Sequence, residues 1–351
     1  MIVPHYRPSF SEKESKAAQA VIASGYIAQK SQVRKLESVL SGFIGKKHGI
    51  AVSSGTTALI LALKVLNIKS GDEVIIPSYT CTALWHAVRA VEATPVLADI
   101  ETESYNLDPD EVKSRITKKT KAVIFPHMFG QPGYVQEVTR LGVPVIEDIA
   151  QAIGATIDNR PVGSLGILSI VSFYATKVLG AGEGGMIFTD ETAPAHYLRD
   201  IREYDEKAEL IPRLNAKMSD ITAAIALSQF EKLPEFTTKR RHILAKYRTV
   251  ADPQIILPNQ NPHFQSNLFR CIAAYPHQDA DQLIQTAREQ AVTFRRPVFK
   301  PIHAYLGSTS LPNTEAAWQK QVSVPLFPAM NNREIEIVTT VLKKLGDSDD
   351  R

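Results

Sequence analysis

Cysteine is scarce. Cys81 and Cys271 are the only two in 351 residues. Neither belongs to a CxxC pair, which argues against a zinc ribbon or a dithiol redox motif. Two cysteines in so long a chain make no disulfide framework, so a reducing compartment is the expectation. Long apolar runs are also missing. No stretch approaches the ~18 residues a membrane helix needs, and Met1–Phe10 has no signal-peptide core. The chain therefore reads as cytoplasmic, with no membrane partner. Neither sign of charge dominates: 40 basic residues stand against 37 acidic ones, so nothing points to a nucleic-acid partner. No Walker-type phosphate loop, hydrolase triad or metal-ligand cluster stands out. Internal repeats and low-complexity segments are lacking as well.

What is present is an ordinary globular composition, 44% hydrophobic and 22% charged. The length suits one large domain, 1–235, and a smaller one, 236–351. Ser11 followed by Glu14 reads as a capping box for a helix over 11–24. Val33, Leu36, Val39, Leu40 and Phe43 share one face of a second helix, 31–44. Apolar strands at 49–53, 73–76, 95–99, 120–126 and 144–147 then alternate with helices at 56–66, 83–91, 109–114 and 135–141. That order predicts βαβ units and a largely parallel sheet covered on both faces. Ligands of such sheets sit at the carboxyl ends of the strands. Two adjacent strands, 170–173 and 185–189, and long helices over 190–204 and 218–249 follow. The run Lys239-Arg240-Arg241 reads as a solvated helix face. A strand at 268–274 and helices at 280–289 and 332–345 predict a small α+β domain, with a frayed polar tail from Gly346 to Arg351.

Three segments fall where ligands are expected. Ser53-Ser54-Gly55-Thr56-Thr57 joins a strand to a helix, and amides at a glycine-opened helix start make a phosphate site. Glu147-Asp148 closes an apolar strand, with Gln151 just beyond. Ser172-Phe173-Tyr174-Ala175-Thr176-Lys177 ends a strand and leads into Gly180-Ala181-Gly182-Glu183-Gly184-Gly185. Singly, each has a plain alternative: a capped turn, a turn-capping carboxylate, a surface lysine. Together they match the needs of pyridoxal phosphate (PLP): a lysine for its aldehyde, a carboxylate for its ring nitrogen and a cradle for its phosphate.

With these segments, the chain resembles the DegT/DnrJ/EryC1/StrS sugar aminotransferases, PLP enzymes of the aspartate-aminotransferase-like fold type I. The resemblance runs nearly end to end, through Ser24-Gly25-Tyr26, Val52–Leu59, Gly71–Thr80, Ala93–Val96, Tyr105–Pro109, Glu147–Gln151, the Lys177 segment and Asn215–Ser219. It implies an α/β fold with a mixed, mostly parallel seven-stranded sheet between helices. It implies Lys177 as the covalent and proton-moving lysine and Asp148 as the partner of the ring nitrogen. Gln151 would face the ring hydroxyl, and Gly55, Thr56, Thr57 and Ser172 would hold the phosphate. Asn215 would reach the phosphate site of a neighbouring subunit, since the family shares its sites across a homodimer. The implied donor is L-glutamate. The implied acceptor is a nucleotide-linked keto-sugar, aminated for surface polysaccharides or antibiotics.

Several positions depart from the family's usual residues. Cys81 stands where an aromatic side chain usually stacks on the cofactor ring, with Trp85, which reads better as a core aromatic than as a substitute, one turn later. Lys30-Ser31 replaces Gly-Pro after Gln29, Val178 replaces asparagine, and Glu183 replaces aspartate. Arg202–Lys207 also differs. These bear on the substrate. Tyr26, Arg296 and His303 are substrate candidates, the last two within Arg295-Arg296-Pro297…Lys300…His303, which reads equally as a solvated loop. His127 reads as a structural histidine or as a support to the site. Family branches that dehydrate sugars carry histidine in place of the lysine, which Lys177 argues against; a cyclitol-aminating branch shares the Gly-Glu-Gly-Gly form.

Overall fold

A computed structural model describes residues 1–251, 254–259, 261–307 and 310–349. Helix α1 (Glu12–Ser24) starts on the expected capping box, in which the Ser11 amide and hydroxyl both donate to Glu14. It ends at Gly25, whose φ of 74° lies in the left-handed region that glycine tolerates. Helix α2 (Ser31–Ile44) buries Val33, Leu36, Leu40 and Ile44. The orphan amides of Lys30, Gln32 and Val33 at its start all donate to the Asp220 carboxylate.

The alternating stretch forms β1 (His48–Val52), α3 (Gly55–Val65), β2 (Glu73–Pro77), α4 (Ala83–Ala90), β3 (Thr94–Ala98), α5 (Pro109–Arg115), β4 (Thr120–Pro126), α6 (Val135–Thr139) and β5 (Val145–Asp148). A small hairpin, β6 (Thr156–Ile157) and β7 (Arg160–Pro161), precedes β8 (Leu168–Ser172) and β9 (Gly185–Thr189). Seven of these strands make one sheet in the order β1-β9-β8-β5-β4-β2-β3. Only β9 runs against its neighbours. Alternation along the strands divides the core. Ile75, Val123, Phe125, Val171 and Phe188 face α2 on one side, whereas Val74, Ile76, Ile124, Ile170 and Ile187 face α3 and α4 on the other.

The chain continues through α7 (Thr192–Ile201), α8 (Asp220–Glu231), α9 (Leu233–Ala251), β10 (Ile255–Leu257), β11 (Phe264–Gln265), β12 (Cys271–Ala273), α10 (Ala280–Glu289), α11 (Ile302–Leu306), α12 (Pro312–Lys320), β13 (Val322–Val324) and α13 (Asn332–Asp349). Strands β10, β12 and β13 form a second sheet. A third core unites Val3 with Ile243, Tyr247, Val292, Phe327 and Leu342. Helix α9 serves two cores, since its Leu233 belongs to the first.

The single helix expected over 218–249 is two. The chain breaks at Lys232, because Pro234 has no N–H to offer the preceding turn and its ring crowds that turn's carbonyl. Strand 268–274 shrinks to β12, since Leu268 takes a φ of 60° that no strand permits. Helix α13 runs past Leu345 as far as Asp349, so the tail is helical up to there; Asp350 and Arg351 lie outside the described residues. Among the described residues no helix is long and apolar enough to cross a membrane.

Candidate active site

The carboxyl ends of β1, β2, β4, β5 and β8 surround a cavity of about 200 Å³. Ser54, Gly55, Thr56, Thr80, Cys81, His127, Asp148, Gln151, Ser172, Tyr174, Lys177 and Glu183 are among its lining residues. The three sequence segments thus meet at one place, as open α/β sheets arrange their ligands.

The helix start is tightly built. Ser54 caps α3 by accepting the Thr57 amide at 3.0 Å. A Cβ on Gly55 would lie 2.7 Å from Ser172 Cβ, and one on Gly185 would lie 2.4 Å from the Ser54 carbonyl oxygen. Glycine at both positions lets the start of α3 sit against the end of β8. The amides and hydroxyls of Gly55, Thr56 and Ser172 therefore converge on one corner of the cavity, which suits a phosphate. Thr57 does not line the cavity. Its hydroxyl is held by Ser53 at 3.2 Å and Ser54 at 2.9 Å, within the cap itself.

Asp148 ends β5 and is only 8% exposed. Burial raises its pKa, opposed by the Ala150 amide and then by the Lys177 charge. Its Oδ1 accepts the Ala150 amide at 2.9 Å, the one hydrogen bond of its side chain among the described residues. A buried carboxylate with an oxygen to spare fits a protonated ring nitrogen. Lys177 is half-buried, and the loop that carries it is pinned by Lys177 N–H to Tyr174, Ala175 N–H to Gly182 and Phe173 N–H to Gly184. Gly180 has no room for a side chain, since a Cβ would lie 2.6 Å from the Ala175 oxygen. Gln151 accepts the Phe129 amide at 2.9 Å. Cys81 is exposed at the cavity edge.

Glu147, one residue before Asp148, does something else. It accepts His127 Nε2 at 3.0 Å and the amides of Gly163, Leu165 and Gly166 at 2.8, 2.7 and 2.5 Å. Burial alone would raise its pKa, but His127 and those amides hold it below the ordinary carboxylate value. His127 Nδ1 accepts the Gly133 amide at 3.2 Å, which assigns the proton to Nε2. His127 therefore both lines the cavity and anchors a structural carboxylate.

The remaining candidates lie outside this cavity. Tyr26 is exposed beneath Lys30 Nζ, 3.3 Å from its ring centroid. Asn215 is exposed in the stretch between α7 and α8. Arg296 stacks on Trp318 at 4.1 Å and pairs with Asp281 at 2.8 Å, in a separate groove with Phe299 and Lys300. His303 is buried with its Nδ1 2.7 Å from the Ser78 hydroxyl, so it braces the turn that carries Thr80 and Cys81. Thr80 and Tyr174 escaped the sequence reading of the site. Their signal was position, each lying just past a strand's carboxyl end.

Arg202 has a structural task. Its Nη1 meets Glu37 at 2.6 Å and the Ala51 carbonyl at 3.0 Å, tying the end of α7 to α2 and β1. Arg202→Met leaves Glu37 buried without its cation, which costs about 3–5 kcal/mol. A clear fall in melting temperature, with cofactor binding retained, is the expected result; an unchanged melting curve would refute this role.

A mostly parallel sheet with one reversed strand and a lysine, a buried carboxylate and a phosphate corner at its carboxyl edge is the design of fold type I PLP-dependent aminotransferases. A profile of the DegT/DnrJ/EryC1/StrS aminotransferase family matches residues 8–343; the chain belongs to that family and is a PLP-dependent enzyme. Solved structures agree. The aminotransferase TlmJ from Streptoalloteichus hindustanus is 25% identical, with 99% of this chain and 100% of that one covered and a TM-score of 0.93. DesI, solved in the presence of its TDP-sugar product, is 27% identical over 100% and 96% of the two chains, with a TM-score of 0.89. Spr1654 from Streptococcus pneumoniae, in its PLP form, shares the fold at 22% identity, covering 99% and 100%, with a TM-score of 0.92. Among the described residues no group of three or more His, Cys, Asp or Glu side chains could hold a metal ion.

Proposed function

We propose that the enzyme transfers an amino group from L-glutamate to the keto group of a nucleotide-linked sugar. The observation that carries this reading is Lys177 beside Asp148 in one cavity, with no carboxylate paired to the lysine among the described residues. DesI, a relative solved with a TDP-sugar product, supports the acceptor class.

The cofactor supplies an electron sink for the bonds at the donor's and acceptor's reacting carbon. Lys177 would hold the cofactor through its aldehyde and would be the group that moves the proton on and off the substrate's reacting carbon. Asp148 would keep the ring nitrogen protonated. Gly55, Thr56 and Ser172 hold the phosphate, while Thr57 acts indirectly by fixing the cap. Gln151 would serve the ring hydroxyl, and Cys81 at the cavity edge would offer the ring a small, soft side chain. A second copy of the chain supplies Asn215 across a homodimer interface. The division between the two domains falls within 233–251, the helix shared by two cores.

The test is a panel of nucleotide-linked keto-sugars offered with glutamate to the holoenzyme, read by the mass of the sugar product. Amination of one of them is the expected result. Deoxygenation without amine transfer, or amination of a cyclitol alone, would overturn the acceptor assignment.

A further inference from the structure

Along the edge strand β1, between α2 and α7, lies a second cavity of about 470 Å³. It shares no lining residue with the cofactor cavity. Its walls carry Lys30, Arg34, Lys47, Arg199 and Arg202 against one carboxylate, Glu37. That carboxylate is already engaged, since its Oε1 takes the Ala51 amide at 2.9 Å and Arg202 Nη1 at 2.6 Å. Asp190, which feels the Lys47 charge, is paired with Lys46 at 2.9 Å. Lys30, Arg34, Lys47 and Arg199 have no carboxylate partner among the described residues. Arg199 spends Nη2 on the Gly49 carbonyl at 3.3 Å, and Lys30 lies over the Tyr26 ring. So one-sided a wall attracts an anion.

Arg202 gives the cavity a fixed donor. It is 6% exposed, and only its Nη1 is bonded. Nε is buried without a partner, and Nη2 makes no hydrogen bond among the described residues. A buried donor left idle forfeits its hydration for nothing. Nε and Nη2 together form one edge of the guanidinium, the edge that can give two parallel hydrogen bonds to phosphate oxygens. Arg199 lies three residues earlier on α7, hence on the same face. Acceptors are idle there as well. Gln29 Oε1 is buried without a partner, and Glu37 Oε2 accepts nothing among the described residues. These oxygens call for hydroxyl donors. No Phe, Tyr or Trp is among the described residues lining the cavity, so nothing there stacks on a nucleobase. The geometry points to a binding site for a hydroxyl-rich phosphate monoester, the chemistry of a sugar phosphate. Its phosphate meets Arg202 and Arg199, and its hydroxyls meet Gln29 and Glu37. The same two arginines hold the Ala51 and Gly49 carbonyls of β1, so a ligand that fixes them also stiffens the strand leading to Ser53 and Ser54.

The holoenzyme, its cofactor cavity filled, is titrated in a calorimeter with glucose 1-phosphate, inorganic phosphate and glucose. Glucose 1-phosphate should bind more tightly than phosphate and raise the melting temperature, and glucose should not bind. Arg199→Met and Lys47→Met should each raise the Kd for glucose 1-phosphate at least ~10-fold, as expected for lost charge-assisted contacts. Cofactor absorbance should not change in either. Gln29→Ala should weaken glucose 1-phosphate while leaving phosphate unaltered. No binding to wild type, or equal binding by the two methionine variants, would overturn the site. Equal affinity for phosphate and glucose 1-phosphate would overturn the ligand class. If Arg199→Met does not fold, Lys47→Met decides, because Lys47 is exposed and its side chain bonds nothing among the described residues. These results do not depend on the aminotransferase reading, which fails separately if wild type reacts with no amino acid.

Discussion

Lys177→Ala abolishes turnover and the visible absorbance of the lysine-bound cofactor together. Both losses follow because one nitrogen holds the cofactor and moves the proton. Proton transfer alone contributes about 10²–10⁴-fold in enzymes, and the covalent role adds to it, so residual activity should lie at the background. The fold should survive. Lys177 is only half-buried, and the bonds that pin its loop come from backbone groups of Phe173, Ala175 and Lys177 itself, which alanine keeps. The check is a paired measurement of activity and spectrum on protein shown to melt normally. A variant that still turns over at a tenth of the wild-type rate would remove Lys177 from the chemistry.

Asp148→Asn is the second large effect, and its two readouts move in opposite directions. Asparagine keeps the shape and still accepts the Ala150 amide, but it carries no charge to hold the ring nitrogen protonated. Removing a preorganised electrostatic partner of this kind costs roughly 10²–10³-fold in kcat. Cofactor-free protein should respond differently. The folded-state pKa of Asp148 lies above its ordinary value because the carboxyl is buried. Such a group stabilises the fold below its unfolded pKa, and that contribution is lost as pH rises through the folded value. At neutral pH burying this carboxyl therefore costs the wild-type apoprotein stability, a cost that asparagine lacks. The variant apoprotein should melt higher than wild type at neutral pH, with the gap closing as pH falls through the carboxylate range. Equal melting curves at neutral pH would contradict the electrostatic account, and full activity would contradict the assigned role.

Much of this was legible in the residues. The apolar runs of β1 through β5, each closed by a small or polar residue, located the strands within a couple of positions, and with them the strand ends where Asp148, Ser172 and Lys177 meet. Elements held by local chemistry were also readable, as the Ser11–Glu14 box shows. What escaped depended on partners far away in sequence. Pro234 divides a helix whose apolar spacing reads as continuous. Thr57 looks like a phosphate ligand until its hydroxyl is seen inside the cap. The run Lys239-Arg240-Arg241 reads as a solvated face, yet Arg240 turns inward toward Tyr6 and Arg270, residues no periodicity connects to it.

The end of β5 puts two carboxylates side by side with opposite duties. Glu147 is saturated by His127 and three loop amides, and Asp148 opens onto the cofactor cavity. Side chains on a strand alternate between its faces, so which acid serves which side is a matter of odd or even position alone. The pairing of Val145 with β4 and of Ile146 with both β4 and β8 sets that parity immediately upstream. An insertion of one residue anywhere between Val145 and Glu147 would carry Glu147 into the place of Asp148 and Asp148 beyond the strand's end. It would present the cavity with a longer acid and leave the amides of Gly163, Leu165 and Gly166 facing Ile146 or the inserted residue in place of a carboxylate. Catalytic identity at this position is thus written in strand register.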